Sequence, residues 1–400
     1  MSEGGPQTAQ AATTLSPVLH PLRFWRDRLI SEQLRSFALV GILLLVWVVF
    51  EFMTNGLFLS PRNLSILSLQ VAITAILCAG IVMVIVPGHI DLSIGGAVVV
   101  CAIVTAMAMA KYHIAMPIAM LLTLVAGIAL GVWHGFWIAF MGVPSFIVTL
   151  ASFIALRGFA LVITNGVSIS PDVSITFLAN YYLPQWATIA MVTLLWVGFV
   201  VLAWRSRVAR LAAGIEVPIV SSVLIPAAVF GAVCLVGMVI ALAYLGLPLP
   251  VAILLTIIAV VTLVLRNTRF GRHLYAIGGN AEAARLAGIS IRWHTFWVFL
   301  AMGLLYGIAA LIYISRLDAA QPTGATGEEL LVIAAAVIGG TSLMGGRGTV
   351  IGAILGAVLM ESLNNGMSLM NLPSSYQQVA VGVVLLLAVF VDVRSRKTVR

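Results

Sequence analysis

The sequence predicts an all-α polytopic membrane protein with about 10–12 transmembrane helices, each about 20 residues long. Hydrophobic residues make up 62% of the 400 residues and charged residues only 8%, and the mean hydropathy is +1.14. A soluble domain of this size cannot bury so much apolar surface, so the solvent of this chain is a lipid bilayer. Apolar runs long enough to cross it recur between residues 37 and 393, and the basic residues between them are unevenly distributed.

The chain begins with a polar tail, residues 1–36, which we expect in the cytosol and which is too polar for a cleavable signal peptide. A transmembrane domain, 37–393, follows, and a basic cytosolic tail, 394–400, ends the chain. Very short breaks near positions 90, 142 and 346 leave open whether some spans are re-entrant. The predicted spans are 37–53, 66–86, 92–110, 117–140, 145–164, 186–203, 222–244, 249–265, 296–315, 328–343, 349–366 and 375–393.

The orientation follows from the distribution of lysine and arginine. With the N-terminus in the cytosol, seventeen basic residues fall in cytosolic segments and three, Arg62, Lys111 and Arg316, fall in outer segments. Cytoplasmic loops carry an excess of these residues, so both termini are predicted in the cytosol and the number of spans is even. The same orientation places the polar segment 266–295 in the cytosol.

Glycines four residues apart recur in the fourth and eleventh spans, and each set follows an acidic break at Asp91 or Asp318. This pattern predicts two inverted four-helix repeats, 66–164 and 296–393, separated by the middle helices, 186–265. The alternative is that such glycines only serve close helix packing in the membrane. The two sets are Gly127, Gly131 and Gly135, and Gly348, Gly352 and Gly356.

The polar segment 266–295 contains five arginines and one acidic residue, Glu282. Within it, residues 280–288 predict a short helix, because Asn280 is a good N-cap, Glu282 lies near the positive end of the helix dipole, and Gly288 suits a C-terminal stop. A short cytosolic helix between two spans can transmit the movement of a soluble partner to those spans. The alternative is a solvated loop whose arginines only fix the orientation of the chain.

The motif PGHIDLSIGG at 87–96 interrupts the apolar sequence between the second and third spans. Irregular backbone at membrane depth survives only where protein or a water-filled path satisfies its polar groups. The motif therefore predicts part of a translocation path or a gate, formed by His89, Asp91, Ser93 and Gly95. The alternative is a tight cytosolic turn in which Asp91 caps the third span.

Two charges fall inside predicted spans, Arg157 in the fifth and Glu361 in the eleventh. A lone guanidinium in the bilayer is costly, so Arg157 is predicted to pair with Glu361 in a structural ion pair. The alternative is that the Arg157 side chain reaches the membrane interface.

Several classes of function lack support in the sequence. Neither the histidines nor the three cysteines have the spacing of metal ligands, so no metal site is predicted. The basic residues lie beside apolar runs and not among aromatic stacking modules, which argues against a nucleic-acid partner. A phosphate-binding GxxxxGK[ST] loop is absent from the chain, so any ATP and Mg²⁺ would bind a partner subunit and the chain itself carries no cofactor.

Several motifs together resemble those of ABC importer permeases of the ribose/xylose type. Among these, the D-xylose permeases are the most similar, in the order of the motifs and in an additional helix pair between the fifth span and the polar segment 266–295. The resemblance extends from about residue 40 to 393. The motifs are HIDLSIGG at 89–96, VPSFIVTLA at 143–151, ITNG at 163–166, GRHLYAIGGNAEAARLAGI at 271–289, AQPTGATGEEL at 320–330, GGTSLMGG at 339–346 and NNGMSLM at 364–370.

The resemblance implies a permease in the bacterial inner membrane that imports a monosaccharide, with D-xylose favoured over ribose or another sugar. It implies a homodimer embedded in membrane lipid, two ABC ATP-binding subunits and a periplasmic sugar-binding protein. It assigns path-lining to 90–95, although His89 departs from the family pattern. It also assigns coupling to the ATPase to residues 278–289, here called the coupling segment. Its predicted residues are Gly278, Gly279, Asn280, Glu282, Ala283, Ala284, Arg285 and Gly288.

Two alternatives belong to other functional classes. An ATP-independent sugar facilitator or secondary transporter would need no nucleotide-binding subunit, and a proton-coupled one would need titratable residues in the membrane, of which the sequence has few. A membrane enzyme would need a clustered nucleophile, acid–base pair or metal set, and the sequence shows no such cluster. The sequence therefore favours a transport subunit without an ATPase site of its own.

Overall fold

The computed structural model describes residues 38–397 and confirms the all-α polytopic fold. The predicted tail at 1–36 lies outside these residues. Within the described range the regular elements are helices, with two isolated β-bridges, Ile169 with Ala320 and Tyr182 with Pro248. The helices are α1 (Ala38–Met53), α2 (Pro61–Ile85), α3 (Ile94–Ala110), α4 (Met116–Ala139), α5 (Ser145–Thr164), α6 (Phe177–Asn180), α7 (Gln185–Ala212), α8 (Ile225–Leu242), α9 (Leu249–Asn267), α10 (Arg269–Gly279), α11 (Ala281–Leu286), α12 (Ile291–Leu317), α13 (Glu328–Ile338), α14 (Val350–Leu369) and α15 (Ser374–Lys397).

Among the described residues, eight helical segments are long and apolar enough to cross a membrane, and α1, α3 and the apolar part of α15 are shorter. The predicted span at 328–343 is corrected by α13, which has 11 residues and ends at Ile338. At 1.5 Å per residue it is about 16 Å long, roughly half the hydrocarbon thickness. The last helix reaches Lys397, so the predicted C-terminal tail begins as helix.

Local sequence signals fix several helix ends. The Ser60 side chain accepts a hydrogen bond from the N–H of Asn63, and Pro61 opens α2. Thr349 caps α14 in the same way, by accepting from the N–H of Gly352. At the other end of a helix, Asn165 adopts a left-handed conformation with φ 52°, which terminates α5.

The core of the bundle is built around α2 and α12. Of the most apolar stretch of each helix, 89% of the residues in α2 and 72% in α12 are buried. The corresponding shares are 6% in α7 and 11% in the segment that contains α8, so this additional helix pair lies at the periphery. Buried apolar residues of α3, α13 and α14 complete the core around α2.

The glycines of α4 allow close contact with α12. A Cβ atom on Gly127 would lie 2.4 Å from the carbonyl oxygen of Gly303, and one on Gly131 would lie 2.5 Å from that of Phe299. Gly356 of α14 packs just as closely against α13, where its Cβ would lie 2.0 Å from the carbonyl oxygen of Ala335. Both glycine sets therefore serve helix packing. The inverted repeats themselves stay a prediction.

Two irregular breaks enter the bundle from opposite ends. The first break, 86–93, follows α2, and the second break, 318–327, follows α12. Helix α12 has 27 residues, so its two ends are about 40 Å apart. Its N-terminus adjoins the coupling segment, which places the second break at the far end of the molecule. The two breaks approach one another within the bundle and define the candidate site.

Candidate functional site

The coupling segment contains the predicted short helix, α11. Asn280 has φ −159° and lies outside the helix, and its side-chain oxygen accepts a hydrogen bond from the N–H of Ala283 at 3.0 Å. Glu282 occupies the first turn, and Gly288 follows the helix with φ +81°, a conformation that favours glycine. The capping residues read from the sequence therefore act as expected. Ala284 is the buried residue of α11.

The exposed face of α11 combines an ion pair with an apolar side chain. Arg285 donates to both carboxylate oxygens of Glu282, at 3.0 Å from Nε and 2.6 Å from Nη2. The hydrogen bonds from Arg285 lower the pKa of Glu282, so the pair is ionised at neutral pH. Leu286 beside them leaves 75% of its surface exposed. Such a rigid, mixed face suits contact with another protein.

Gly278 belongs to the last turn of helix α10. A Cβ atom at this position would lie 1.8 Å from the carbonyl oxygen of Val86 and 2.5 Å from the backbone nitrogen of Gly346. Gly346 in turn donates its N–H to the Val86 oxygen at 2.8 Å. Three chain segments thus meet backbone to backbone at Gly278. The neighbouring Gly279 has open space around its Cβ position.

Two further contacts hold α10 in place, and neither could be predicted from the sequence. The Tyr275 hydroxyl donates to the carbonyl oxygen of Gly348 at 2.8 Å. His273 Nδ1 lies 3.0 Å from His294 Nε2 at the start of α12, although these histidines lack the spacing of a pair in the sequence. His294 Nδ1 donates to the carbonyl of Ser290, so in the neutral pair His273 is the donor to His294. Helix α10, which leads into the coupling segment, is therefore attached to α12 as well as to the end of α2.

The first break starts at this junction and runs back into the bundle. Gly88 has φ +96°, which lets the chain reverse after α2. The Ile90 N–H then donates to the Ser145 hydroxyl at 3.2 Å, and the Ile90 carbonyl accepts from the Thr149 hydroxyl at 3.2 Å. The backbone groups released by the break are thus satisfied by side chains of α5, as burial requires.

Asp91 lies at the deepest polar point of the first break and is fully buried. Its Oδ1 accepts from the backbone N–H of Ser93 at 2.8 Å and from the Ser93 hydroxyl at 2.7 Å. Its Oδ2 accepts from the hydroxyl of Tyr306 in α12, which is also fully buried. Asp91 therefore joins the break to the central helix. It does not occupy an exposed turn.

His89 lies nearer to the coupling segment and is partly buried. Its Nε2 is 3.0 Å from the Thr295 hydroxyl, and its ring lies 5.9 Å from that of Phe299. His89 and Asp91 thus attach the first break to two positions along α12, Thr295 and Tyr306. In this conformation the break is packed between α5 and α12, and a role in lining the translocation path stays a prediction for His89, Asp91, Ser93 and Gly95.

The two breaks meet at Gly95, near the start of α3. A Cβ atom there would lie 2.3 Å from Glu329 Oε2, 2.5 Å from the carbonyl oxygen of Ala325 and 2.9 Å from Arg157 Nη2. The guanidinium of Arg157 donates to the carbonyl oxygens of Gly324 and, at 2.8 Å, Ala325. It also lies 3.9 Å from the carboxylate of Glu329. Arg157 thus fastens the second break to α5.

The predicted ion pair between Arg157 and Glu361 is wrong. Arg157 donates to carbonyl oxygens of the second break and lies near the carboxylate of Glu329. Glu361 instead accepts a hydrogen bond from the Thr74 hydroxyl of α2. The same hydroxyl lies 2.9 Å from Glu328, so Thr74 lies between the two carboxylates. Sequence reasoning missed Glu329 as the partner because it lies at the very start of the predicted span 328–343, whereas Glu361 lies inside a span, as Arg157 does.

Among residues 38–397, no group of three or more histidine, cysteine or acidic side chains is arranged to hold a metal ion. The arrangement instead consists of two irregular segments that approach from opposite ends and are held by hydrogen bonds to α5 and α12. Through the contact of Gly278 with Val86, the coupling segment is joined to the start of the first break.

The chain is similar to known transport permeases over most of its length. Residues 63–389 match the family described as branched-chain amino acid transport system / permease component. The chain is 38% identical to the xylose transport system permease protein XylH of Escherichia coli strain K12, over 99% of this chain and 100% of that protein. It is 37% identical to XylH of Haemophilus influenzae, over 92% of this chain and 99% of that protein.

The chain is also 33% identical to the ribose import permease protein RbsC of Escherichia coli strain K12, over 89% of this chain and 92% of that protein. No solved structure matches the chain. The similarity therefore extends over nearly the whole chain and includes both breaks and the coupling segment.

Proposed function

This chain belongs to the family of ABC importer permeases that includes the xylose and ribose permeases of Escherichia coli, and from that premise we propose that it translocates a monosaccharide across the inner membrane. D-Xylose is the favoured cargo, because the xylose permease matches at 38% identity over its whole length and the ribose permease at 33% over 92% of its length. Ribose and other monosaccharides are the alternatives.

ATP, with Mg²⁺, is bound and hydrolysed by a separate ABC subunit, and this chain is a transport subunit and not an enzyme. The observation that carries this proposal is the exposed face of α11, with its Glu282–Arg285 ion pair and the exposed Leu286. Gly278, in the last turn of the preceding helix α10, packs against Val86 at the end of α2. A partner that moves α11 therefore also moves the first break.

The remaining subunits complete an importer. A periplasmic sugar-binding protein delivers the sugar to the outer face, and a second copy of this chain forms the other half of the path. Both termini lie in the cytosol, as the excess of lysine and arginine on that side indicates. The coupling segment then faces the ATPase, and the second break faces the binding protein.

In the proposed cycle, ATP-driven closure of the ATPase subunits displaces α11 and α10. The displacement passes through the contact of Gly278 with Val86 to the first break, and through His294 to α12. Helix α12 reaches the second break through the Tyr313 hydroxyl, which accepts from the N–H of Ala325 at 3.0 Å, and Gly95, just after the first break, lies against Arg157 and Glu329. Opening at one end is thereby linked to closing at the other. The binding protein supplies affinity, and the path itself needs only weak contacts with the sugar.

Uptake of labelled D-xylose by proteoliposomes tests the proposal. The permease is reconstituted with the ATPase and the sugar-binding protein of the same organism, and each component is omitted in turn. We expect uptake to require both partners and ATP. Uptake by the permease alone would instead establish an ATP-independent facilitator, and uptake of ribose but not xylose by the complete system would reassign the cargo.

Replacing Glu282 and Arg285 together with alanine tests the role of α11. We expect sugar uptake to fall by about tenfold or more, the effect of truncating central residues of a protein interface, while the amount of permease in the membrane stays unchanged. The double variant is compared with the wild type for uptake, ATPase stimulation and co-purification of the ATPase. Replacing Arg292, an exposed arginine outside α11, provides the control for a general loss of positive charge. Undiminished uptake in the double variant would rule out this face as the coupling surface.

A further inference from the structure

A cavity of about 380 Å³ separates the peripheral helix pair, α7 and α8, from the core of the bundle. Its walls come from both sides of the gap: Val71 of α2 and Leu254 of α9 on the core side, and Val192 of α7 and Cys234 of α8 on the peripheral side. The pair therefore does not close onto the core along its whole length. The cavity lies outside both breaks and away from the coupling segment.

The cavity opens sideways between helices that are apolar enough to cross a membrane. Val233 and Tyr244 line it and still leave 64% and 39% of their surfaces exposed. Helices α7 and α8 are almost unburied, so the medium at this opening is bilayer hydrocarbon. In that medium, the acyl chains of the surrounding lipids fill an open, concave, apolar surface.

The lining of the cavity excludes water as a stable occupant. None of the described residues around it is charged, and its walls are formed mostly by leucine, valine and other apolar side chains. The cavity has room for water, but a bound water needs two to four polar partners. Hydrocarbon needs no polar partner, and it gains dispersion contacts with both walls of the cavity.

One end of the cavity is bordered by tyrosines. Tyr244 lines the cavity, and its ring packs at 5.9 Å against that of Tyr182. The Tyr182 hydroxyl lies 3.2 Å from the hydroxyl of Ser65, close to the start of α2. Tyrosine is enriched at the level of lipid headgroups because it is apolar at one end and polar at the other. The tyrosine border thus suits the glycerol region of a lipid whose chain enters the cavity.

We propose that this cavity is a binding site for one acyl chain of a membrane phospholipid. The chain bridges α2 and α9 on one side to α7 and α8 on the other, and so attaches the peripheral helix pair to the core. Recognition is by shape and hydrocarbon contact and not by headgroup charge, because the lining has no cationic residue.

Gly237 gives a direct test, because it lines the cavity and a Cβ atom on it would meet no atom within 4 Å. Gly237→Leu places an apolar side chain at the cavity wall, and its Cβ atom meets no neighbour. The matched control is Gly198→Leu in α7, where the glycine also has open space but does not line the cavity. Both changes add the same side chain to a helix of the peripheral pair, so any effect of helix propensity or hydrophobicity is shared.

The probe is a phosphatidylcholine with a diazirine in the middle of one acyl chain, in vesicles that contain the full-length permease. After illumination, mass spectrometry of the peptides locates the crosslinks. We expect crosslinks to concentrate on residues 230–241 and on the facing part of α2, to fall several-fold in Gly237→Leu, and to stay unchanged in Gly198→Leu. An even distribution over α4, α5 and α8, or equal labelling of both variants, would overturn the proposal.

Native mass spectrometry supplies an independent readout on the same proteins. Wild type and Gly198→Leu are expected to retain one phospholipid molecule more than Gly237→Leu after mild detergent treatment. Equal lipid retention in all three would count against the site. If Gly237→Leu is not recovered from membranes, the distribution of crosslinks on the wild-type protein decides between a defined site and ordinary lipid contact.

Discussion

Replacing Gly278 with alanine is expected to reduce sugar uptake by about tenfold or more, although it adds a single methyl group. The added Cβ would lie 1.8 Å from the carbonyl oxygen of Val86 and 2.5 Å from the backbone nitrogen of Gly346. Both are backbone atoms, so no side chain can turn away, and α10 must move relative to α2. Overpacking of this kind typically costs about 1–3 kcal/mol and occasionally more.

The measurement is ATP-dependent uptake in proteoliposomes at equal permease content, together with binding of the ATPase. Gly279→Ala is the matched control, because the two glycines are adjacent in the last turn of α10 and a Cβ on Gly279 meets no atom within 4 Å. The control is expected to transport as well as the wild type. Equal uptake by the two variants would show that the contact at Val86 does not transmit the movement of the coupling segment.

Replacing Arg157 with methionine is expected to cause the largest loss of stability among the changes considered. The side chain donates to the carbonyl oxygens of Gly324 and Ala325 and lies 3.9 Å from Glu329, which is 6% exposed. Removing one partner of a buried ion pair costs about 3–5 kcal/mol, because the remaining charge is left without compensation. The second break is then no longer fastened to α5, and uptake is lost with it.

The thermal unfolding temperature of the detergent-purified permease measures the effect, with Gly158→Ala as a neighbouring control that meets open space. A second change separates the two roles of Arg157. In the double variant Arg157→Met with Glu329→Gln, the uncompensated charge is gone, so stability should recover in part. The carbonyl contacts remain absent, so uptake should stay low. If Arg157→Met alone unfolds at the wild-type temperature, the guanidinium does not hold the second break.

The coupling helix shows how far local sequence can be trusted in this protein. Asn280, Glu282 and Gly288 predicted the position and both ends of α11, because capping and helix dipole effects depend on residues within one turn. The preceding helix, α10, makes two contacts that could not be predicted from the sequence. Gly278 meets Val86 and Gly346, and His273 meets His294, and these partners are brought together only by the packing of α10 against other helices.

The ion pair of Arg157 illustrates the opposite limit. A buried guanidinium needs partners, and the sequence established that need from the position of Arg157 in an apolar run. It did not identify the partner correctly, because the sequence does not show which acidic residue the fold brings next to Arg157. The second break re-enters the bundle, and this re-entry brings Glu329 and two carbonyl oxygens to Arg157 and leaves Glu361 with Thr74.

By itself, the sequence determined that the chain is a helical membrane protein, where most helices lie, and where the coupling helix begins and ends. These features follow from apolar run length, helix-capping residues and charge distribution, all of which are local. The tertiary structure alone decided that α2 is central and that α7 and α8 are peripheral, although all three are apolar. The physical reason is that lipid is as apolar as the protein core, so hydrophobicity does not distinguish a buried helix from one that faces the bilayer.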